Sequence, residues 1–339
     1  MKTRVAINGF GRIGRMSFRI LAERKDIEVV GINDLTDTLT LAHLLKHDTN
    51  YGEFQHQVTF DATSIIVDGV SIPVSAEKDP EQLPWKTLEV DVVIESTGRF
   101  VTTETASAHL RAGAKKVVLS APAKDEETPT IVIGANEEAL EQAGDVISNA
   151  SCTTNSIAAV MAIMELEFGI EKAMLTTVHS YTATQVLQDG PSKDLREARA
   201  AAQNLVPTTT GAAKAVALTV PSLKNKFDGL SVRVPTSVVS LSDVTMVLKK
   251  DTTKEEINEV FKKHVKEPYF QGIIAVSEEP LVSSDYIGNS HSGTIDALLT
   301  NVVDGNLAKV VVWYDNEWGY SNRLVEMVAD VGKTLASKE

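Results

Sequence analysis

The chain holds one cysteine, Cys152, in the run Ala150-Ser151-Cys152-Thr153-Thr154-Asn155. A lone sulfur has no internal disulfide partner, so it is either a small buried hydrophobe or a thiol kept for its chemistry. The small and polar neighbours make poor core partners and favour the second reading. Position favours it too, because the apolar pair Val146-Ile147 precedes the run and a helix-like stretch, Ser156 to Phe168, follows it. A thiol at a helix N-terminus has its thiolate stabilised by free backbone N–H groups and by the dipole.

A cysteine nucleophile needs a base or an imidazolium nearby. Among seven histidines, His179 is the best placed, since it ends the apolar strand Met174-Leu175-Thr176-Thr177-Val178 and opens a long polar segment. His43, His47, His109 and His264 fall on predicted helices, and no apolar strand leads to His56 or His291. Spacing alone leaves His179 balanced between a base and an ordinary strand-end histidine. Hydroxyls cluster at Thr182 with Thr184 and at Thr208-Thr209-Thr210-Gly211, the latter opening the helix that starts Ala212-Ala213-Lys214. Such groups bind anions or merely cap helices, and spacing does not separate the two. Arg199 and Arg233 are the candidate cations. Arg233, set between Val232 and Val234, has a head group that must find an anion or solvent.

Asn8-Gly9-Phe10-Gly11-Arg12-Ile13-Gly14 fits G-x-G-x-x-G, a weak pattern by itself. Here it follows a strand, opens a helix and leads to a second strand ending in Asn33-Asp34, which is the context a dinucleotide site requires. Glycines let the backbone approach a pyrophosphate at the helix N-terminus, and the acidic residue accepts hydrogen bonds from a ribose. A 2′-phosphate about 5 Å from the Asp34 carboxylate would be repelled by about 3 kcal/mol at an effective dielectric of ~20. Leu35 supplies no compensating cation, so NAD is expected rather than NADP.

Strand and helix patterns alternate through the first half: Val5 to Ile7, helix Gly11 to Arg24, Val29 to Ile32, helix Thr38 to Lys46, Val92 to Ile94, helix Thr103 to Arg111, Val117 to Leu119. That alternation implies a parallel sheet covered on both faces, the Rossmann arrangement. Ile65 to Val67 and Val70 to Val74 flank Asp68-Gly69, a hairpin signal. The second half carries longer strands, Ala173 to His179, Leu230 to Val234, Val238 to Leu248 and Ala308 to Trp313, with helices Ala212 to Val220 and Thr253 to Val265. It reads as an α+β catalytic domain with a mixed, largely antiparallel sheet. Ser180 to Thr210 shows no long element, and a segment of that length inside a compact domain is usually functional. The expected division is 1-151 for nucleotide binding, 152-316 for catalysis and 317-339 for a C-terminal helix.

At 339 residues, two domains are the natural expectation. A net charge of -13 disfavours nucleic acid and anionic membranes as partners, and no apolar run is long enough to span a bilayer. Met1-Lys2-Thr3-Arg4 runs straight into a strand without a secretory signal, and a single cysteine agrees with the cytoplasm as the expected compartment. No metal site is expected.

Taken in order, several blocks resemble the phosphorylating glyceraldehyde-3-phosphate dehydrogenases. They are Asn8 to Arg15, Asn33 to Asp37, Ala150 to Asn155, His179 to Gln185, Arg199 to Ala202, Thr210 to Lys214, Arg233 to Thr236 and Trp313 to Tyr320, spread across essentially the whole chain. The resemblance implies that Cys152 attacks the aldehyde of glyceraldehyde 3-phosphate, that NAD takes a hydride, and that inorganic phosphate releases 1,3-bisphosphoglycerate, with His179 as base. It assigns the substrate phosphate to Thr182, Thr184, Arg199 and Arg233, and the attacking phosphate to Ser151, Thr153, Thr210 and Gly211. On the cofactor side it points to Gly9, Gly11, Arg12, Ile13, Gly14, Asp34, Lys78, Ser120 and Asn316. It also implies a homotetramer, with Ser180 to Thr210 against a neighbouring subunit and the final helix packed back on the nucleotide domain. Val238 stands where the family commonly has Asn, Ser242 where it has an apolar residue, and Lys78 where Arg is frequent. Ser156 and Ala159 replace a second cysteine and a proline. None of these removes a catalytic group; they bear on local packing and subunit contacts. The nearest rivals are an erythrose-4-phosphate dehydrogenase, against which His179 to Gln185 argues, and a non-catalytic NAD-binding protein, against which Cys152, His179 and both arginines argue.

Overall fold

The computed structural model describes residues 2–336. They form two compact units, the first made of the chain up to Ile131, Glu137–Ala150 and the chain from Ser321 on, the second of Val132–Asn136 and Ser151–Tyr320. In the first unit eight strands run in the order Val146–Ser148, Lys116–Leu119, Val92–Glu95, Thr3–Asn8, Ile27–Asn33, Val70–Ser75, Ser64–Val67, Val58–Phe60. The first six pair in parallel and the last two join antiparallel, around the turn at Asp68-Gly69 where both residues have positive φ. The alternating pattern of the sequence and its hairpin signal thus have their expected form.

The strand Thr3–Asn8 sits mid-sheet, with Val5, Ala6 and Ile7 fully buried, and it delivers the chain to the glycine turn at the sheet's carboxyl edge. Gly9 has φ +91°, and a Cβ there would stand 2.8 Å from the Thr97 nitrogen. The helix that follows is Arg12–Ala22 and begins one turn from that edge. A Cβ at Gly14 would come within 2.2 Å of the Gly9 carbonyl oxygen, so only glycine lets the helix start this close. The helix Trp318–Ala336 belongs mainly to this unit, where Gly332 lies against Thr3.

The second unit is built on a mixed sheet in the order Val206–Thr209, Phe227–Val234, Ile170–Ser180, Ser240–Leu248, Leu307–Tyr314, Gly293–Asp296, Ile274–Ser277, with Asn301–Val303 beside Leu307–Tyr314. Two pairings are parallel, Ile170–Ser180 with Phe227–Val234 and Ile274–Ser277 with Gly293–Asp296; the rest are antiparallel. Against it lies Cys152–Glu167, a helix buried on nearly every side from Thr153 to Met164, which explains why its sequence shows no clear polar stripe. Two departures from the family pattern meet here: Ser156 Oγ lies 3.4 Å from Ser242 Oγ, both fully buried.

Two expectations change in detail. The strand predicted from Val238 starts at Ser240, because Val239 adopts φ +69° and interrupts the extended backbone. The stretch Ser180 to Thr210 holds a short helical turn, Ala201–Gln203, and the edge strand Val206–Thr209, too short for periodicity to reveal.

Replacing Gly14 by Ala should lower stability by about 1–3 kcal/mol, the usual cost of overpacking, and should weaken NAD binding. Urea midpoints and a fluorescence titration with NAD read the two effects, and wild-type values for both would contradict this account of the turn.

Candidate active site

Cys152 is the first residue of its helix, and Ser151 caps it by accepting the Thr154 N–H at 3.1 Å. Ala150, just before, has φ +56°, an uncommon backbone conformation for a residue with a Cβ. Cys152 Sγ lies 3.5 Å from His179 Nε2. His179 Nδ1 is 2.7 Å from the Ser180 carbonyl oxygen, which accepts only, so the proton sits on Nδ1 and Nε2 faces the sulfur as an acceptor. The histidine singled out in the sequence therefore lies against the sulfur, and its tautomer is fixed by a backbone carbonyl.

Arg233 stands beside His179, because the parallel register pairs the two residues on neighbouring strands. Its Nη1 donates to the same Ser180 oxygen at 3.4 Å. Its Nε is buried and, like Thr236 Oγ1 nearby in the chain, has no hydrogen-bond partner among the described residues. An unsatisfied buried donor costs about 1–3 kcal/mol, which an oxyanion at this place would recover. Burial raises the Cys152 pKa above its ordinary 9.0, with the Arg233 charge pulling the other way. Burial, seconded by Arg233, lowers the His179 pKa to about 3. Both effects of burial oppose charge, so the pair rests as a neutral thiol beside a neutral imidazole that is ready to accept.

Tyr314 carries no signal in the sequence beyond its motif, yet its hydroxyl joins Thr153 Oγ1 at 2.8 Å to Thr177 Oγ1 at 2.9 Å, and its ring meets the His179 ring edge-on. Burial keeps the phenol protonated. Asn316 Oδ1 accepts from Ser180 Oγ at 2.9 Å and Ser240 Oγ at 3.0 Å, which fixes the orientation of the side-chain amide. Thr182 and Thr184 hydroxyls are 3.1 Å apart and are tied together by Gln185. Thr210 takes the bland role, accepting the Ala212 N–H at 3.2 Å, with Gly211 as the N-cap. Arg199 is not brought to this group: it is exposed and donates to Asp189 at 2.8 Å. Glu197, two residues earlier, takes its place, accepting from Thr208 Oγ1 at 2.9 Å and Gln185 Nε2 at 3.4 Å.

In the first unit a cavity of about 290 Å³ is lined by Gly9, Gly11, Asp34 and Lys78, together with Asn33 and Thr97. Asp34 accepts the Phe10 N–H at 2.8 Å and the Thr36 N–H at 3.0 Å, so its carboxylate is held with lone pairs to spare for ribose hydroxyls. A Cβ at Gly11 would meet nothing within 4 Å, leaving the turn open to a pyrophosphate. These features fit NAD. The Arg12 guanidinium is turned to Asp48, whose carboxyl it holds below the usual range against the effect of burial, so at the turn Arg12 and Ile13 offer backbone only. Ser120 lies at the end of strand Lys116–Leu119, outside this cavity's lining. Glu95, missed in the sequence, is fully buried and accepts from Thr97 N–H, Asn8 Nδ2 and His109 Nε2. Among the described residues no group of three or more His, Cys, Asp or Glu is placed to hold a metal ion.

Comparison with known proteins agrees with this arrangement. Residues 3–103 match the family model described as glyceraldehyde 3-phosphate dehydrogenase, NAD binding domain, and residues 151–316 match that of the C-terminal domain. The protein is an NAD-dependent oxidoreductase. It is 58% identical over 325 residues to a glyceraldehyde-3-phosphate dehydrogenase of Thermotoga maritima, covering 95% of this chain and 97% of the relative. It is 54% identical over 330 residues to that of Geobacillus stearothermophilus, covering 97% and 98%. The chain belongs to the glyceraldehyde-3-phosphate dehydrogenase family.

With the proton acceptor removed, burial should outweigh the Arg233 charge at the thiol. In His179→Asn the rate of Cys152 alkylation by iodoacetamide should fall at neutral pH and climb only above the ordinary thiol value of 9.0. A pH–rate profile superimposable on the wild type would contradict the role of His179 as acceptor.

Proposed function

We propose that this protein oxidises D-glyceraldehyde 3-phosphate to 1,3-bisphosphoglycerate with NAD and inorganic phosphate, using Cys152 as nucleophile. The observation that carries the reading is the 3.5 Å approach of Cys152 Sγ to a His179 Nε2 whose tautomer makes it an acceptor. Cys152 Sγ attacks the aldehyde carbon as His179 Nε2 takes the thiol proton, and that proton goes on to the oxyanion of the thiohemiacetal. The Cys152 N–H at the helix start faces the developing oxyanion. NAD, when bound, supplies the acceptor for the hydride that leaves this carbon. His179 Nε2 takes the hydroxyl proton during oxidation to the thioester. Inorganic phosphate then attacks the thioester carbonyl, and the Cys152 thiolate leaves.

Arg233, through its unpartnered Nε, with Thr182 and Thr184, holds the substrate phosphate, while Ser151, Thr153, Thr210 and Gly211 hold the attacking one. Gly9, Gly11, Gly14, the Arg12 and Ile13 backbone, Asp34, Lys78 and Ser120 hold NAD, and Asn316 meets its carboxamide. The functional division runs 1-151, 152-316 and 317-339. Arg199, tied to Asp189 within one subunit, reaches a phosphate only by leaving that partner. The same proposal includes a homotetramer. Its support is an apolar sheet face on which Met174, Leu230 and Leu307 are exposed, and a loop that exposes Leu187, Leu195 and Leu205. A cytoplasmic location completes it, in keeping with a free thiol; among the described residues no helix is long and apolar enough to cross a membrane.

NADH should form from glyceraldehyde 3-phosphate only when inorganic phosphate is present, and Cys152→Ser should lower the rate by at least a thousandfold with NAD affinity retained. Unchanged turnover in that variant, or faster oxidation of erythrose 4-phosphate, overturns the assignment. Asp34→Ala should weaken NAD binding and relax the bias against NADP, read by titration with both cofactors. Sedimentation should give a mass near four times 36.6 kDa.

A further inference from the structure

Glu95 ends the strand Val92–Glu95 beside Asn8, its register partner at the end of Thr3–Asn8. It is fully buried, and the mechanism proposed above makes no use of it. Both of its oxygens accept: Oε1 from the Thr97 N–H and hydroxyl, Oε2 from Asn8 Nδ2 and, at 3.0 Å, from His109 Nε2. The Trp85 indole N–H donates to His109 Nδ1 at 3.0 Å, so the imidazole carries its proton on Nε2 and can only donate to Glu95. With its nitrogen committed to Glu95, Asn8 presents Oδ1 to Asn33 Nδ2 at 2.7 Å. Asn33 in turn donates to the Glu77 carbonyl and accepts the Glu77 N–H, both at 2.9 Å. Asn8, Asn33, Glu77 and Thr97 all line the cavity to which Asp34 and Lys78 belong.

The direction of each amide in this chain of bonds is set by its first member. A carboxylate accepts at both oxygens, whereas an amide accepts at one. We propose that Glu95 is a positioning residue for NAD: it fixes the amide directions of Asn8 and Asn33 and so holds Thr97 and the Glu77–Lys78 segment at the cofactor cavity. This rests on the placement of NAD in that cavity made above. An amide at position 95 with its nitrogen toward Asn8 would leave the His109 donor facing an N–H and force Asn8 to turn. Asn33 would turn after it, and both bonds to Glu77 would be lost. With the nitrogen toward Thr97, the Thr97 N–H is stranded instead. Either way one wall of the cavity loses its hold, while Cys152 and His179, which belong to the other unit, keep theirs.

The test is Glu95→Gln, paired with the exchange variant Glu95→Gln/Asn8→Asp. In the exchange the carboxylate moves to position 8, where it can accept from the new amide, from Asn33 Nδ2 and from His109 Nε2, which lies 3.3 Å from the present Asn8 nitrogen. NAD is titrated by fluorescence, and NADH formation is followed at varied NAD. E95Q should raise Kd and KM for NAD by about tenfold or more with kcat at saturation within about threefold, the split expected when cofactor binding alone is weakened. The exchange should bring both constants back to within about threefold of wild type. Wild-type NAD constants in a folded E95Q overturn the role of Glu95 and leave the NAD site intact. An exchange variant that stays as weak as E95Q, or that does not fold, also overturns it, since the carboxylate is then needed at position 95 for packing alone. If E95Q itself fails to fold, the exchange variant decides by the same constants. Unchanged NAD affinity in Asp34→Ala overturns the placement of NAD in this cavity and the role of Glu95 with it.

Discussion

The second unit is organised around one backbone oxygen. The Ser180 carbonyl accepts both from the imidazole of the candidate base and from the neighbouring guanidinium. One acceptor thereby fixes the histidine tautomer and holds a cation next to it. Had Nδ1 been left to water, the ring would be free to present either nitrogen to the sulfur, and half of its orientations would be useless for taking a proton. The strand register that sets His179 against Arg233 is a property of the sheet, and no loop has to be ordered to achieve it.

Around that oxygen the polar groups are chained. Tyr314 ties the helix that carries the thiol, through Thr153, to the strand that carries the imidazole, through Thr177. Ser180 and Ser240 hold the Asn316 amide by its oxygen. Buried networks of this kind specify a single geometry when every member is satisfied. Among the buried groups left unsatisfied is Arg233 Nε, on the strand paired with that of His179. The first unit uses the same device. Buried Glu95 takes donors from Asn8, Thr97 and His109, and so ties the end of the first strand to the loop behind the glycine turn.

Much of the fold is legible from pattern alone. Alternating apolar runs and helical periods predict the parallel sheet, and Asp68-Gly69 predicts its hairpin, because both depend on local periods of two and 3.6 residues. The start at Ser240 and the edge strand Val206–Thr209 are not legible, since each turns on one backbone angle or on pairing with a distant strand. At the site, Cys152 stands out by rarity and Asp34 by its offset from the glycines. Glu197, Tyr314 and Glu95 give no such signal: an acidic loop residue, a strand tyrosine and a strand glutamate look ordinary until their partners, up to 161 positions away, are known.

The sequence by itself determined the kinds of chemistry available, a single thiol, a glycine turn followed by an acidic strand end, and an arginine between valines, because those meanings reside in residue type and short spacing. Tertiary structure decided which of the candidate groups act together. Only the pairing of distant strands puts Nε2 of one particular histidine against the sulfur and leaves Arg233 without a counter-ion. It also binds Arg199 to Asp189 and seats Glu197 among the threonines, because hydrogen bonds and charges act over a few ångströms of space and not along the chain.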